Sequence, residues 1–176
     1  MKQLVLACIL LLSALTTSAD AGDTNVYETA YVNKYKYAMW FEACDYTPYT
    51  CIGVKVPKVV LKEMRPGLLG QYRGGDTVYI RKGLTGVHLK EVLLHEMIHY
   101  LQKQVGGLIV PGPAKEICAA EEEAFTQTDK WLIDNGYDFL VVGKNWWKPY
   151  SHCWQWYDPK WPSYSAIDKL IWILGT

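Results

Sequence analysis

The stretch VHLKEVLLHEMIHYLQKQ, from Val87 to Gln104, decides the fold because it has the clearest helical pattern in the chain. Its apolar residues recur at the three- and four-residue spacing of one helix face: Leu89, Val92, Leu93, Met97 and Leu101. Gly106-Gly107 then ends the pattern. The sequence therefore predicts a helix over residues 87–104 with one face in the core.

This predicted helix contains His95-Glu96-Met97-Ile98-His99, an HExxH motif. Residues four apart on a helix lie one above the other, so both imidazoles can bind a single metal ion. Neutral imidazoles suit zinc, and a catalytic zinc keeps one position open for water. Glu96 is turned roughly 100° from His95, so it can act on that water as a general base without being a ligand. The alternative is two histidines with an accidental glutamate.

A third zinc ligand is predicted on a second helix, Ala114 to Asn135, which ends at Asn135-Gly136. Glu121 falls near the middle of its apolar face, where a carboxylate is costly unless it is paired or binds metal. Glu122 is the reserve ligand, Glu123 is expected to be solvated, and Asp129 has a poorer angle. The apolar face is formed by Ile117, Ala124, Phe125, Trp131 and Leu132.

The remaining pattern predicts an α+β fold, with a small antiparallel or mixed sheet packed on the HExxH helix and the helix of the third ligand. A hairpin is indicated where two strand-like segments flank Gly74-Gly75-Asp76. The other predicted elements are a helix over residues 25–42, strands over 58–64, 70–73 and 77–81, and a short helix over 166–174.

The N-terminal residues match a secretory signal peptide. Met1-Lys2 precedes an apolar run from Leu4 to Leu15, and small residues follow up to Ala21. We predict a signal peptide over residues 1–21 and one domain over 22–176, secreted or periplasmic, with no stable membrane anchor after cleavage. An uncleaved N-terminal anchor is the alternative, although the apolar run is short for a bilayer span of roughly 20 residues.

Cysteine count and charge restrict the class further. Four cysteines follow the predicted signal peptide, and an even count in an exported chain indicates disulfides. Of three connectivities we favour Cys44–Cys51 with Cys118–Cys153, over a cysteine metal site. Lys and Arg number 18, as do Asp and Glu, and a neutral chain is not expected to bind nucleic acid. The sequence does not give the oligomeric state.

HEMIH with a downstream glutamate resembles the gluzincin branch of the zincin metallopeptidases. In that branch the third ligand is often the glutamate of an E-x-x-[AS] segment, and Glu121-Glu122-Glu123-Ala124 matches that form with Glu121. The segment HEMIHYLQ, His95 to Gln102, is also similar to small bacterial and phage proteins with an HExxH-x-x-Q helix. The resemblance covers Thr77 to about Leu132 and implies a zinc peptidase acting on a peptide or protein.

The chain departs from two other zincin branches. Gln102 and Val105 stand where a metzincin has a glycine and a third histidine, and no aspzincin G-T-x-x-D segment follows the motif. By position, Asp76 to Lys82 resembles the edge strand that lies along the substrate in zincins. Such an edge would bind an extended peptide through backbone hydrogen bonds.

Two features leave alternatives open. A hydrogen-bond donor to the developing oxyanion is expected, and the candidates are Tyr100, Tyr150, His152 and Tyr157. The tail from Trp146 to Trp161 is rich in aromatic residues, which either pack over the core or bind a cell-wall polymer. The sequence thus predicts a secreted zinc metallopeptidase. The rivals are a cell-wall amidase or toxin-like peptidase with the same site, and a non-catalytic zinc-containing or cell-wall-binding protein.

Overall fold

The structure, a computed structural model, describes residues 21–108, 114–141, 153, 165–167 and 169. Within residues 21–141, three helices and a three-stranded sheet are described, and they form the α+β arrangement predicted from the sequence. No helix in these described ranges is long and apolar enough to cross a membrane. The elements in chain order are α1 (Ala21–Tyr46), β1 (Lys58–Lys62), β2 (Gly70–Tyr72), β3 (Thr77–Arg81), α2 (Gly86–Gln104), α3 (Ala114–Asp134) and a 3₁₀ turn (Asp138–Leu140).

The sheet is mixed, with strand order β1-β3-β2. The predicted hairpin is confirmed: β2 and β3 are antiparallel, with Gln71 opposite Tyr79. β1 runs parallel to β3, with Val60 opposite Tyr79. The prediction that Asp76 to Lys82 forms the edge strand is wrong, because β3 pairs on both sides and is the central strand. β2 is the edge strand that lies against α2.

The helix α2 is the centre of the fold. It packs against α1, α3 and the strands β2 and β3. Every residue from Val92 to Gln102 except His95 is buried, which is typical of a helix surrounded by other elements rather than lying on a surface. The motif histidines and Glu96 are therefore fixed on a rigid, enclosed helix.

Two disulfides cross-link the chain, and they are the predicted pairs. Cys44–Cys51 closes a short loop after α1, and Cys118–Cys153 joins α3 to the C-terminal part of the chain. This cysteine usage fits an extracellular location. The predicted signal peptide and nearly all of the aromatic tail lie outside the described residues. Of the predicted helix 166–174, residues 166, 167 and 169 are described, and they are helical.

Candidate metal centre

The structure brings three predicted ligand atoms together between α2 and α3. Glu121 Oε2 lies 3.3 Å from His95 Nε2 and 3.3 Å from His99 Nε2. The two imidazole nitrogens are 3.1 Å apart. This is the one group of three or more potential ligands found in the described part of the chain. The donor atoms of the three residues predicted as ligands thus form a nearly equilateral triangle.

The size of this triangle fits zinc. Zinc bonds to histidine nitrogen and carboxylate oxygen at about 2.0–2.2 Å in tetrahedral geometry, which places neighbouring donors about 3.3–3.5 Å apart. The observed separations of 3.1 and 3.3 Å need little adjustment. Two imidazoles and one carboxylate also form a donor set that leaves a fourth position for water or substrate. Their role as metal ligands stays a prediction.

The electrostatics of the three residues are those of a site that attracts a cation. Burial lowers the pKa of His95. Burial also opposes the protonation of His99, but the Glu121 carboxylate outweighs it and raises the pKa of His99 to about 9. Burial would raise the pKa of Glu121, and the two imidazoles bring it well below its usual range instead. The Glu121 carboxylate and the charged form of the His99 imidazole thus stabilise each other in the metal-free site.

His99 has a hydrogen-bond partner that fixes its ring. Gln102 lies one helical turn further along α2, and its Oε1 is 2.8 Å from His99 Nδ1. When the ring is neutral, an Nδ1–H donating to this oxygen leaves the lone pair of Nε2 facing His95 and Glu121. Such outer contacts orient ligand histidines in metal sites. Gln102 was not predicted as a site residue, although its three-residue spacing from His99 puts both on one helix face.

His95 is positioned by packing instead. Its ring lies 4.7 Å from the His99 ring and 4.3 Å from the Phe125 ring, centroid to centroid. Its Nδ1 is buried and has no hydrogen-bond partner among the described residues. Phe125 on α3 therefore positions the His95 ring by packing, whereas Gln102 orients the His99 ring through a hydrogen bond. Phe125 lies next to the His95 ring because it follows Glu121 by four residues and so shares its face of α3.

Glu96 lies beside the triangle, against the edge strand β2. Its carboxyl is buried, and burial raises its pKa to about 8, although attraction by His99 acts in the opposite direction. The side chain fits there because position 70 is glycine. A Cβ on Gly70 would lie 2.6 Å from Glu96 Oε1 and 2.7 Å from Val92 Cγ1, closer than real Cβ atoms approach. Gly70 thus makes room for the predicted base.

Of the two acidic residues that follow Glu121 on α3, Glu123 departs from the prediction and Glu122 does not join the ligands. Glu123 is half-buried rather than fully solvated: its Oε2 accepts hydrogen bonds from Gln102 Nε2 at 3.0 Å and from the Tyr49 hydroxyl at 2.8 Å. The helical angle did place it away from the metal ligands, but a loop from the other side of the fold covers it. Glu122, the reserve ligand, is half-buried and lies outside the ligand triangle.

Asp129 does not join the triangle either. Burial, and then the nearby Glu91 carboxylate, raise its pKa to about 6. Burial also raises the pKa of Glu91, against the influence of His88. His88 itself is exposed at the start of α2 and lies 3.5 Å from Glu91, as expected for a solvated histidine near a helix start.

The one described candidate for the oxyanion donor points elsewhere. The Tyr100 hydroxyl donates to the Lys55 carbonyl at 3.0 Å, and its ring packs edge-on against Trp40 and Tyr72. Tyr100 is therefore a core residue, and its candidacy is wrong because it projects from α2 at a different angle from the motif histidines. Tyr150, His152 and Tyr157 lie outside the described residues.

A cavity of about 200 Å³ opens beside the triangle. It is lined by the three site residues His95, Glu96 and Glu121 and by the segment from Gly67 to Gly70. The rest of the lining consists of two apolar residues, Val92 and Phe125, and two polar ones, Glu91 and the buried Thr128. A cavity of this size can take one amino-acid side chain next to the candidate metal centre.

Comparison with family models, curated proteins and solved structures gives no match to this chain. The resemblance to gluzincins therefore rests on the HExxH motif and the Glu121 segment alone.

Proposed function

We propose that this protein is a zinc-dependent hydrolase that cleaves peptide bonds, with His95, His99 and Glu121 as zinc ligands and Glu96 as the general base. The observation that carries the proposal is the triangle of donor atoms with 3.1–3.3 Å sides, next to a buried carboxyl of raised pKa. A structural zinc site would use a fourth protein ligand. Among the described residues this group contains three.

A zinc ion in this site would supply Lewis-acid chemistry, polarising the substrate carbonyl and activating a water molecule. The protein residues supply the rest. Three donors from α2 and α3 would fix the position of the ion, and Gln102 and Phe125 fix the two imidazole rings. This rigidity favours catalysis because the site does not reorganise as charge develops.

Glu96 is suited to accept a proton from the attacking water and to deliver it to the leaving amine. A general base works best when its pKa is near the working pH. Burial against Gly70 raises the pKa of Glu96 to about 8 in the metal-free site. Its position on α2 next to His95, but turned towards β2, keeps it beside the ligands without competing for the ion.

The edge strand β2 offers a binding surface for an extended peptide. The Arg81 N–H donates to the Leu69 carbonyl at 2.8 Å, so Leu69 and Gln71 are the residues whose backbone bonds to β3. In an antiparallel pair the intervening residue, Gly70, then directs its N–H and C=O away from β3. A peptide paired with this edge would run past Glu96, with one side chain in the 200 Å³ cavity.

The experiment is a cleavage profile of the zinc-loaded mature protein against a diverse peptide mixture, read by mass spectrometry. The decisive variant is Glu96→Gln, which keeps size and polarity but removes the base. The matched control is Glu63→Gln, an exposed glutamate away from the site. We expect Glu96→Gln to bind zinc normally and to lose about 10²–10⁴-fold in kcat, with Glu63→Gln unchanged.

Cross-linked cell-wall peptides belong in the same mixture, because a cell-wall amidase would share the metal and Glu96. Cleavage of the cell-wall peptides alone would change the proposed substrate class but keep the proposed zinc-dependent hydrolysis. No cleavage of any substrate by the zinc-loaded protein, together with equal biological activity of Glu96→Gln, would overturn the proposal in favour of a binding protein.

A further inference from the structure

We propose that Tyr49 is a positioning residue for the candidate metal centre, held by the Cys44–Cys51 disulfide and acting on His99 through Glu123 and Gln102. The inference rests on the proposed zinc site but not on turnover. Four side chains form a continuous chain of hydrogen bonds. Tyr49 donates to Glu123 at 2.8 Å, Gln102 donates to Glu123 at 3.0 Å, and Gln102 Oε1 lies 2.8 Å from His99 Nδ1.

This chain of hydrogen bonds controls the direction in which the Gln102 amide points. Its Nε2 has two hydrogens, and both have acceptors: the Ala120 carbonyl at 2.9 Å and the Glu123 carboxylate at 3.0 Å. The amide oxygen must therefore face His99. An amide turned by 180° would present hydrogens to His99 Nδ1 and would place the imidazole proton on Nε2, the nitrogen that faces the other two ligands.

Glu123 provides one of these two acceptors, and Tyr49 holds it in place. The Tyr49 hydroxyl and Gln102 Nε2 both donate to the same oxygen, Oε2. Without the hydroxyl, a half-buried carboxylate on a helix surface is free to turn towards water. Gln102 would then keep one acceptor, the Ala120 carbonyl, and its amide would be less firmly oriented.

Tyr49 is itself fixed at two points. Its ring lies against the end of α2, since a Cβ on Gly106 would come within 2.8 Å of Tyr49 Cε1. Its backbone belongs to the loop that Cys44 and Cys51 close directly after α1. This loop therefore links the ends of α1 and α2 to the α3 residue that orients Gln102. The proposal gives the first disulfide a role at the metal centre, beyond stabilising the fold.

The test is zinc affinity, measured by competition with a chromophoric chelator on the folded mature protein. We compare wild type with Tyr49→Phe, Gln102→Leu and the double variant, and use Tyr37→Phe at an exposed tyrosine as the control. Gln102→Leu should weaken zinc binding about 10–100-fold. Tyr49→Phe should weaken it about three- to tenfold, as expected for one lost hydrogen bond.

The double variant separates positioning from general stabilisation. If Tyr49 acts through Gln102, then Tyr49→Phe has no further effect once Gln102 is leucine, and the double variant binds zinc as Gln102→Leu does. Wild-type zinc affinity in Tyr49→Phe, or losses that multiply in the double variant, would overturn the proposal. Because the assay reads zinc and not cleavage, an inactive protein that shows this pattern would refute the proposed hydrolysis and leave the positioning role intact.

The disulfide is tested by replacing Cys44 and Cys51 together with serine, at a temperature where circular dichroism shows the variant folded. Zinc affinity should fall by about the same three- to tenfold factor as in Tyr49→Phe. Adding Tyr49→Phe to this variant should cause no further loss. Unchanged zinc affinity in the serine variant would remove the disulfide from the proposal.

Discussion

The replacement Gly70→Ala tests whether Glu96 is held in a working position by the edge strand. Position 70 has ordinary backbone angles, so the new methyl group acts through contacts alone. It would lie 2.6 Å from Glu96 Oε1 and 2.7 Å from Glu96 Cγ, whereas ordinary contact begins at 3.4 Å. The carboxyl must therefore move by about 0.8 Å, and a misplacement of about 1 Å costs about 100-fold in rate.

We accordingly expect kcat/KM of Gly70→Ala to fall about 100-fold, or about 2.7 kcal/mol of transition-state stabilisation. Overpacking should also lower the free energy of unfolding by about 1–3 kcal/mol. Zinc content should stay the same, because the ligands are not displaced. The assay is turnover of the best peptide from the cleavage profile, with Gln71→Ala on the same strand as control. Wild-type kcat/KM in Gly70→Ala would refute the placement of Glu96 as the base.

Three further predictions concern pH and stability. Because Glu121 raises the pKa of His99 to about 9 in the metal-free site, zinc must displace that proton, and its apparent affinity should rise about tenfold per pH unit between pH 7 and 9; titration at several pH values that gives a constant affinity would contradict this. Burial raises the pKa of Glu96 to about 8, so the folded state holds a proton that the unfolded state loses above about pH 4.5. In EDTA, wild type should therefore lose stability as pH rises from 5 to 8, and Glu96→Gln should become more stable than wild type by a few kcal/mol at pH 8; parallel pH profiles in denaturant unfolding would argue against it. Replacing Cys118 and Cys153, 35 positions apart, with serine should lower the free energy of unfolding by about 4 kcal/mol; an unchanged denaturation midpoint would show that this bridge does not constrain the unfolded chain.

The local parts of the fold were predictable from the sequence. Periodicity predicted α2 and α3 to within a residue or two, and Gly74-Gly75 predicted the β2–β3 hairpin. The strand order was not predictable in the same way. β1 pairs in parallel with β3, although β2 lies between the two strands in the sequence. No turn signal marks such a contact, and the prediction of β3 as an edge strand rested only on its position before the HExxH helix, as in zincins.

The candidate site shows the same division. His95 and His99 were predictable as ligands because they share a face of one helix. Glu121 was predictable because it lies on the apolar face of α3. Each of these follows from 3.6 residues per turn. Glu123 was misassigned because the partner that buries it, Tyr49, comes from a loop 74 residues earlier. The need for glycine at position 70 likewise depends on how β2 meets α2, which no local pattern encodes.

The amount of zinc bound per chain tests the proposed metal site of His95, His99 and Glu121 most directly. It is measured by elemental analysis of the purified mature protein after dialysis, for wild type and for Glu121→Ala. We expect about one zinc per wild-type chain and a substantial loss of zinc in Glu121→Ala, because one of three donors within 3.3 Å of one another is removed. A folded wild-type protein that binds no zinc when zinc is supplied, or a Glu121→Ala variant that retains it fully, would contradict the assignment of His95, His99 and Glu121 as the metal site.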